Sequence, residues 1–285
     1  MIFESLSSEQ MYVFYIFSAV FSLGVGSFLN VVVYRLPIMM SENIEKDYNE
    51  LKGIDNNISQ LFNLSYPSSS CPGCKQPIKP WQNIPVLSFM LLKGKCSSCK
   101  TDIGYRYPLI EAVTSLLGLV AAIYFGPTYQ FIVALVLTYM LIPLFLIDVD
   151  HYLLPDAITL PLLWVGLIAS SFNVFTDLES SLFGAATGYC APLILCWIFM
   201  VFTGKEGMGR GDFKLMAAIG AFIGWQSIPS LIFMAAVMLL VWTLIYKANN
   251  PDSEQGPVPF GPYLVVSGLM LVYGYDLLKL MGLSV

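Results

Sequence analysis

Two aspartates stand where apolar runs meet polar sequence. Asp212 closes the glycine-rich loop Gly207-Met-Gly-Arg-Gly-Asp212, and Asp148 follows directly on Leu144-Phe-Leu-Ile147. An ionisable group at membrane depth is costly, so it marks a functional site whose partner must be found. Two carboxylates brought together from separate helices share one proton, because like charges held close do not both ionise cheaply. Such a pair can activate a water and polarise a carbonyl, which is the chemistry of an aspartyl protease. The competing reading gives Asp212 a local task, capping the helix that follows while the glycines serve the turn. Other groups compete with Asp148. Asp156, after Pro155, reads as the N-cap of the next helix, and Asp150 and His151 read as solvated loop residues. His151 is the sole histidine, which excludes a multi-histidine metal centre and argues against a serine–histidine mechanism.

A second constellation is sulfur. Cys71-Pro-Gly-Cys74 is followed after 21 residues by Cys96-Ser-Ser-Cys99. Two CxxC knuckles at that separation predict a tetrahedral four-cysteine zinc site, structural because protein ligands fill every position. Lys75 and Lys100, each directly after a knuckle, soften the charge of four thiolates. Cys190 and Cys196 lie six residues apart in an apolar run, share no helical face, and read as packing residues.

The elements that hold these groups are membrane helices. The 285 residues are 56% hydrophobic and 12% charged, against about 25% charged in soluble domains. A net charge of −5 without any basic face gives no reason to expect nucleic-acid binding. Residues 1–10 hold two acids and no base, the reverse of a signal peptide's basic start, so the first run is expected to remain as a helix. Apolar runs lie near 11–34, 107–125, 131–147, 157–174, 181–203, 213–225, 229–246 and 263–281. With eight spans and the N-terminus outside, thirteen of the fourteen basic residues fall on the cytoplasmic side, leaving Lys279 outside. That topology places Asp148 and Asp212 at one face and one depth. It also puts the cysteines in a reducing compartment, where disulfides are disfavoured. The run 213–225 is short and holds Gly220 and Gly224, so it is expected to be tilted, broken or shielded by neighbours.

Smaller signals refine the picture. Ser22, Gly24, Gly26 and Ser27 allow close helix packing, Asn30 needs a hydrogen-bond partner, and Pro37 is expected to end the first helix. Residues 38–70 read as a solvated linker, acidic through Glu42, Glu45, Asp47, Glu50 and Asp55, or as a lure for a basic substrate. Trp81, Ile84, Pro85, Val86, Leu87, Phe89, Leu91 and Leu92, between the knuckles, are expected to lie against the membrane face or a helix end. Glu111, inside the second span, calls for Arg106 or Arg35 as a partner, and a plain structural ion pair satisfies that need. Pro143 predicts a kink near Asp148, and Pro257-Val-Pro-Phe-Gly-Pro262 a stiff wall beside the carboxylates. The expected fold is an all-α polytopic membrane protein with about eight transmembrane helices and a small cytoplasmic zinc-ribbon-like domain. Its parts are a first helix over 1–36, a cytoplasmic four-cysteine domain over 37–106 and a seven-helix peptidase domain over 107–285.

From about Gly24 to the last span, the chain resembles the bifunctional type IV prepilin peptidase/N-methyltransferase family of bacterial inner membranes. The resemblance rests on Gly26-Ser-Phe-Leu-Asn-Val-Val-Val-Tyr-Arg-Leu-Pro37, both knuckles, Asn83-Ile-Pro-Val-Leu-Ser88, Tyr107-Pro-Leu-Ile-Glu111, Ile147-Asp148 with Leu154-Pro-Asp156, and Gly209-Arg-Gly-Asp-Phe-Lys214. It implies cleavage of the basic leader of prepilins or pseudopilins after a glycine, on the cytoplasmic side. The new amine, usually of phenylalanine, is then methylated from S-adenosylmethionine. Carried over, Asp148 and Asp212 form the catalytic pair, and Asn30, Arg35 and Glu111 are candidates for the methyl-donor site. Two other classes use the same features differently. A zinc-ribbon transporter or channel could relay protons through paired acids, although both acids lie at one face and no inverted repeat is visible. A scaffold of a secretion assembly would tolerate neutralisation of both.

Overall fold

The computed structural model describes residues 7–54, 62–71, 73–205, 207–251 and 258–280. Asp55, Pro257 and the side chain of Lys279, all invoked above, lie outside them, as do residues 1–6. Among the described residues no strand forms; only two isolated β-bridges appear, Ser70 with Pro77 and Lys95 with Asp102. The chain divides into two compact units, Met1–Pro127 and Thr128–Val285.

The first unit is built on α1 (Ser8–Lys52), whose 45 residues reach roughly 67 Å at about 1.5 Å per residue, twice a membrane core of about 30 Å. Pro37 lies inside this helix and does not end it. Proline removes one hydrogen bond, but Pro37 is buried along with Val32, Val33 and Arg35, and packing carries the helix through. Residues 38–52, expected as linker, are therefore helical. The helix stops at Gly53, whose φ of 66° lets its N–H and that of Ile54 turn back to Glu50 and Asn49.

α3 (Arg106–Phe125) packs along α1. A Cβ on Gly26 would come within 2.9 Å of the Glu111 Cα, so the two backbones meet there; Gly24 faces open space. Ser115 donates to the Ala19 carbonyl at 2.9 Å and Asn30 to the Tyr107 carbonyl at 3.2 Å. Between α1 and α3 the chain forms the cysteine lobe with the short α2 (Leu87–Leu91). Trp81, Ile84, Leu87 and Leu91 stay exposed on it, an apolar patch suited to a bilayer surface.

The second unit holds α4 (Tyr129–His151), α5 (Asp156–Ser171), α6 (Leu178–Thr203), α7 (Arg210–Ile223), α8 (Ile228–Asn249), α9 (Gly261–Val272) and α10 (Leu277–Leu280). α4 is continuous through Pro143. Among the described residues, five helices are long and apolar enough to cross a membrane: α1, α3, α4, α6 and the run Trp225–Asn249. α5 and α9 are shorter apolar helices. All eight expected runs fall on helices, but the last one breaks. Gly274 takes a φ of 79° after α9, and the Asp276 carboxylate then caps the Leu278 N–H at 3.0 Å.

α7 is the shielded element. Phe213 and every residue from Leu215 to Phe222 are buried, among α5, α6 and α9. Each neighbour approaches through a glycine: Gly166 of α5 on Ala221 and Phe222, Gly184 and Gly188 of α6 on Gly220 and Met216, Gly268 of α9 on Ile219. Ser181 adds a hydrogen bond to the Ala221 carbonyl at 2.6 Å. A Cβ on Gly184 would run into the backbone carbonyl of Gly220, which cannot swing away as a side chain would. Gly184→Ala should therefore cost about 1–3 kcal/mol by overpacking, read as a lower unfolding midpoint in detergent. Gly24→Ala, into open space, should leave the midpoint in place. Equal midpoints would show that the α6–α7 spacing is adjustable.

Candidate active site

The two aspartates come from opposite kinds of helix end. Asp148 sits in the last turn of α4 and Asp212 is the third residue of α7; they are 5% and 9% exposed. Glycines surround them. Gly261, at the start of α9, lies so close that a Cβ would stand 2.5 Å from Asp148 Oδ2 and 3.3 Å from Leu154 Cδ2. A Cβ on Gly211 would meet Leu154 Cβ at 2.9 Å, and one on Gly209 would meet Asp212 Oδ2 at 3.3 Å. Leu154 is thus wedged between the N-terminal ends of α7 and α9, beside the Gly261 that lies against Asp148 Oδ2. Each lies within the other's electrostatic reach. The Gly261 N–H faces the Asp148 carboxyl group, yet Asp148 Oδ2 is buried with no hydrogen-bond partner among the described residues. A buried acceptor left open in this way is suited to a donor such as a reacting water.

The local reading of Asp212 is also met in part. Gly209, not Asp212, is the N-cap of α7, and the Asp212 carboxyl group folds back toward it. Asp156 is the first residue of α5, not its cap, which is Pro155. Its carboxylate instead takes the Lys214 ammonium at 2.7 Å on both oxygens, tying the start of α5 to the start of α7. Asp150 and His151 are exposed as expected, but in the last helical turn of α4 and not in a loop. Cys190 is exposed on α6, whereas Cys196 Sγ lies 3.6 Å from where a Gly207 Cβ would stand. The wall expected over 257–262 is represented by Gly261. Leu154 and Lys214 stand within the motifs quoted above, but nothing in their residue types told what each would touch. The only hint was the string of glycines at 209, 211 and 261, each marking a spot where something must come close.

In the first unit the four cysteines gather, their Sγ atoms all within 4.8 Å of one another and Cys71 to Cys99 at 3.7 Å. The knuckles are copies. The N–H of Cys71 bonds to the Gln76 carbonyl and that of Cys96 to Thr101; the N–H of Lys75 returns to Cys71 and that of Lys100 to Cys96. Lys75 and Lys100 share a positive φ of 58° and 60°. Hydrogen bonds from the Thr101 hydroxyl and backbone draw the Cys99 thiol down to about 6. A tetrahedron with bonds of about 2.3 Å to sulfur has edges of about 3.8 Å, so the cluster fits a metal.

The three remaining candidates do not come together on one open site. Arg35 is buried and gives Nη1 to the Asn63 carbonyl at 2.8 Å and Nη2 to the Pro67 carbonyl at 2.6 Å, with the Phe62 ring 5.6 Å away. Glu111 pairs with neither expected arginine. Its Oε2 accepts the Val86 N–H at 2.7 Å, and the Ser27 hydroxyl completes the set. Val86 stands at φ 55°, ψ −47°, with the Leu87 N–H closing on the Pro85 carbonyl, a γ-turn rare for a β-branched residue. Arg35, Glu111 and Asn30 thus act as clamps that hold the lobe and α3 onto α1.

Comparison with known proteins follows the same division. Residues 20–125 match the model of the bacterial peptidase A24 N-terminal domain, and residues 135–244 that of the type IV leader peptidase family. A protein of Pseudomonas aeruginosa is 48% identical over 255 residues, 88% of each chain. One of Stutzerimonas stutzeri is 44% identical over 95% of this chain and 94% of its own, and one of Legionella pneumophila 41% over 92% of each. All three are named prepilin leader peptidase/N-methyltransferase. No solved structure matches the chain.

Proposed function

The chain belongs to the type IV leader peptidase family, and from that premise we propose how its residues do the work. The protein is a membrane enzyme that cleaves the leader of prepilins and N-methylates the new terminus. Cleavage follows a glycine in a short basic leader, at the cytoplasmic face of the inner membrane, and the methylated residue is usually phenylalanine. The crowding of Lys and Arg on one side of the spans supports that orientation.

Asp148 and Asp212 are the catalytic pair, and the observation that carries this is that both are buried, close enough for their charges to interact, with Asp148 Oδ2 unpaired among the described residues. The ionised carboxylate takes a proton from water as its oxygen bonds to the scissile carbonyl carbon. The protonated partner gives its proton to the carbonyl oxygen. The tetrahedral centre collapses when the C–N bond breaks, the departing nitrogen takes the proton held by the first carboxylate, and the second recovers its own. No metal is asked of this step.

Zinc is the metal that suits four thiolates at these spacings, held by Cys71, Cys74, Cys96 and Cys99. With no coordination place left for water, it supplies a cross-link for the lobe. The methyl donor for such a transfer is S-adenosylmethionine, which supplies an electrophilic methyl group. Asn30 Nδ2, Arg35 Nη1 and Nη2 and Glu111 Oε2 each bond to the backbone of the chain itself, which favours a positioning part over direct contact with the donor. Their part in methyl transfer is to fix the lobe. Glu111→Gln keeps the shape but weakens the grip on the Val86 N–H, since a neutral acceptor is the poorer one. Methyl transfer should fall several-fold, while cleavage stays near native. A variant that loses cleavage first would place Glu111 in the protease or in folding.

One experiment tests the whole reading. Purified protein is incubated in detergent with a prepilin-type substrate and S-adenosylmethionine, and the products are weighed by mass spectrometry. Loss of the leader and a gain of one methyl group on the new terminus are expected. Intact substrate would overturn it.

A further inference from the structure

We propose that Leu154 sets the size of the residue accepted on the leader side of the scissile bond. The proposal rests on the peptidase reading above. Leu154 belongs to neither carboxylate's helix. It hangs from the turn between α4 and α5, opened by Tyr152 at φ 56°, and enters half-buried between Gly211 and Gly261. Gly261 in turn lies against Asp148 Oδ2, and Gly209 against Asp212 Oδ2. Around both acids the backbone is thus stripped of side chains at 209, 211 and 261, and one isobutyl group fills the space that results. A substrate peptide laid across the carboxylates finds room for its backbone along the glycines and an obstacle at Leu154.

The side of the obstacle follows from the helix that precedes it. From Phe131 to Ile147 α4 is largely apolar and mostly buried, while Asp150, His151, Tyr152 and Leu153 are exposed. Leu154 therefore bounds the site from the polar side, beyond the end of the span. A bulky apolar residue that follows the cut belongs on the membrane side, and the basic leader on the polar side. The side chain that would collide with Leu154 is the one just before the cut. Glycine passes there because it has none.

The test uses two substrates of the full-length enzyme that differ only at that position, glycine or alanine, with kcat/KM measured for each. Wild type should prefer glycine by about tenfold or more, the worth of one methyl group against a filled wall. Leu154→Ala should narrow that ratio at least about fivefold by raising alanine cleavage, and Leu154→Val, which removes one carbon and keeps the turn packed, should fall between. A purely supporting role would lower both substrates together and leave the ratio unchanged, which overturns the proposal; so would an unchanged ratio in Leu154→Val if Leu154→Ala fails to insert. Failure of wild type to cleave either substrate would instead overturn the peptidase reading.

Discussion

Asparagine at either Asp148 or Asp212 is expected to abolish cleavage, by at least about a hundredfold for the loss of one acid–base group. Asparagine keeps the size of the side chain and most of its hydrogen bonding. What it removes is the proton the pair must pass, so the two changes should be equally severe alone and no worse together. Both side chains are buried, and the amide avoids leaving a cavity or a lone charge in their place. Folding should therefore survive, to be confirmed by membrane insertion and an unchanged unfolding midpoint. Asp150→Asn is the control, since that side chain is exposed at the end of α4. Asp156→Asn removes a surface ion pair with Lys214, a contact worth about 0–1 kcal/mol, and should lower cleavage only slightly. Near-native cleavage by Asp148→Asn or Asp212→Asn would sink the mechanism outright.

Serine at any of Cys71, Cys74, Cys96 or Cys99 should remove the metal, about one ion per chain, because a closed four-ligand shell does not tolerate a missing thiolate. The lobe between α1 and α3 has little else to hold it. Its apolar residues Trp81, Ile84, Leu87 and Leu91 are exposed rather than gathered into a core. Loss of the metal should loosen the γ-turn that Glu111 grips, so methyl transfer should collapse. Cleavage should persist, since the aspartates belong to the other compact unit. Metal analysis paired with the two activities decides the matter. Active protein without zinc would defeat the claim, and equal loss of both activities in a folded variant would defeat the ordering.

What the sequence revealed depended on whether a signal was local. The knuckles were legible because four cysteines at fixed spacing carry their chemistry wherever they fold. The burial of the two aspartates was legible because a charge beside an apolar run is expensive to leave without a role. Pro37 misled, because its rule describes an isolated helix and the packing of α1 outweighed it. Glu111 was expected to seek a charge; it found a backbone N–H instead, supplied by a turn that no propensity would assign to valine. Asp156 looked like a cap by its neighbours in sequence, while its true partner lay on a helix 58 positions away. Leu154 was invisible for the plainest reason: an apolar residue in a turn acquires meaning only when three helix ends meet on it.

The enclosure of α7 bears on how the protein is made. Its fourteen residues reach about 21 Å, short of the about 30 Å a bilayer core asks. Nearly every residue touches protein and not lipid. As the chain leaves the ribosome, α7 therefore has no stable place of its own. The neighbour already made that can shelter it is α6, where Gly184 and Gly188 let the two backbones pack in direct contact. α9, which covers its last face and sets Gly261 on Asp148, is made later. On the catalytic assignment proposed above, a chain that lacks α9 is expected not to cleave, because Gly261 is not yet in place against Asp148.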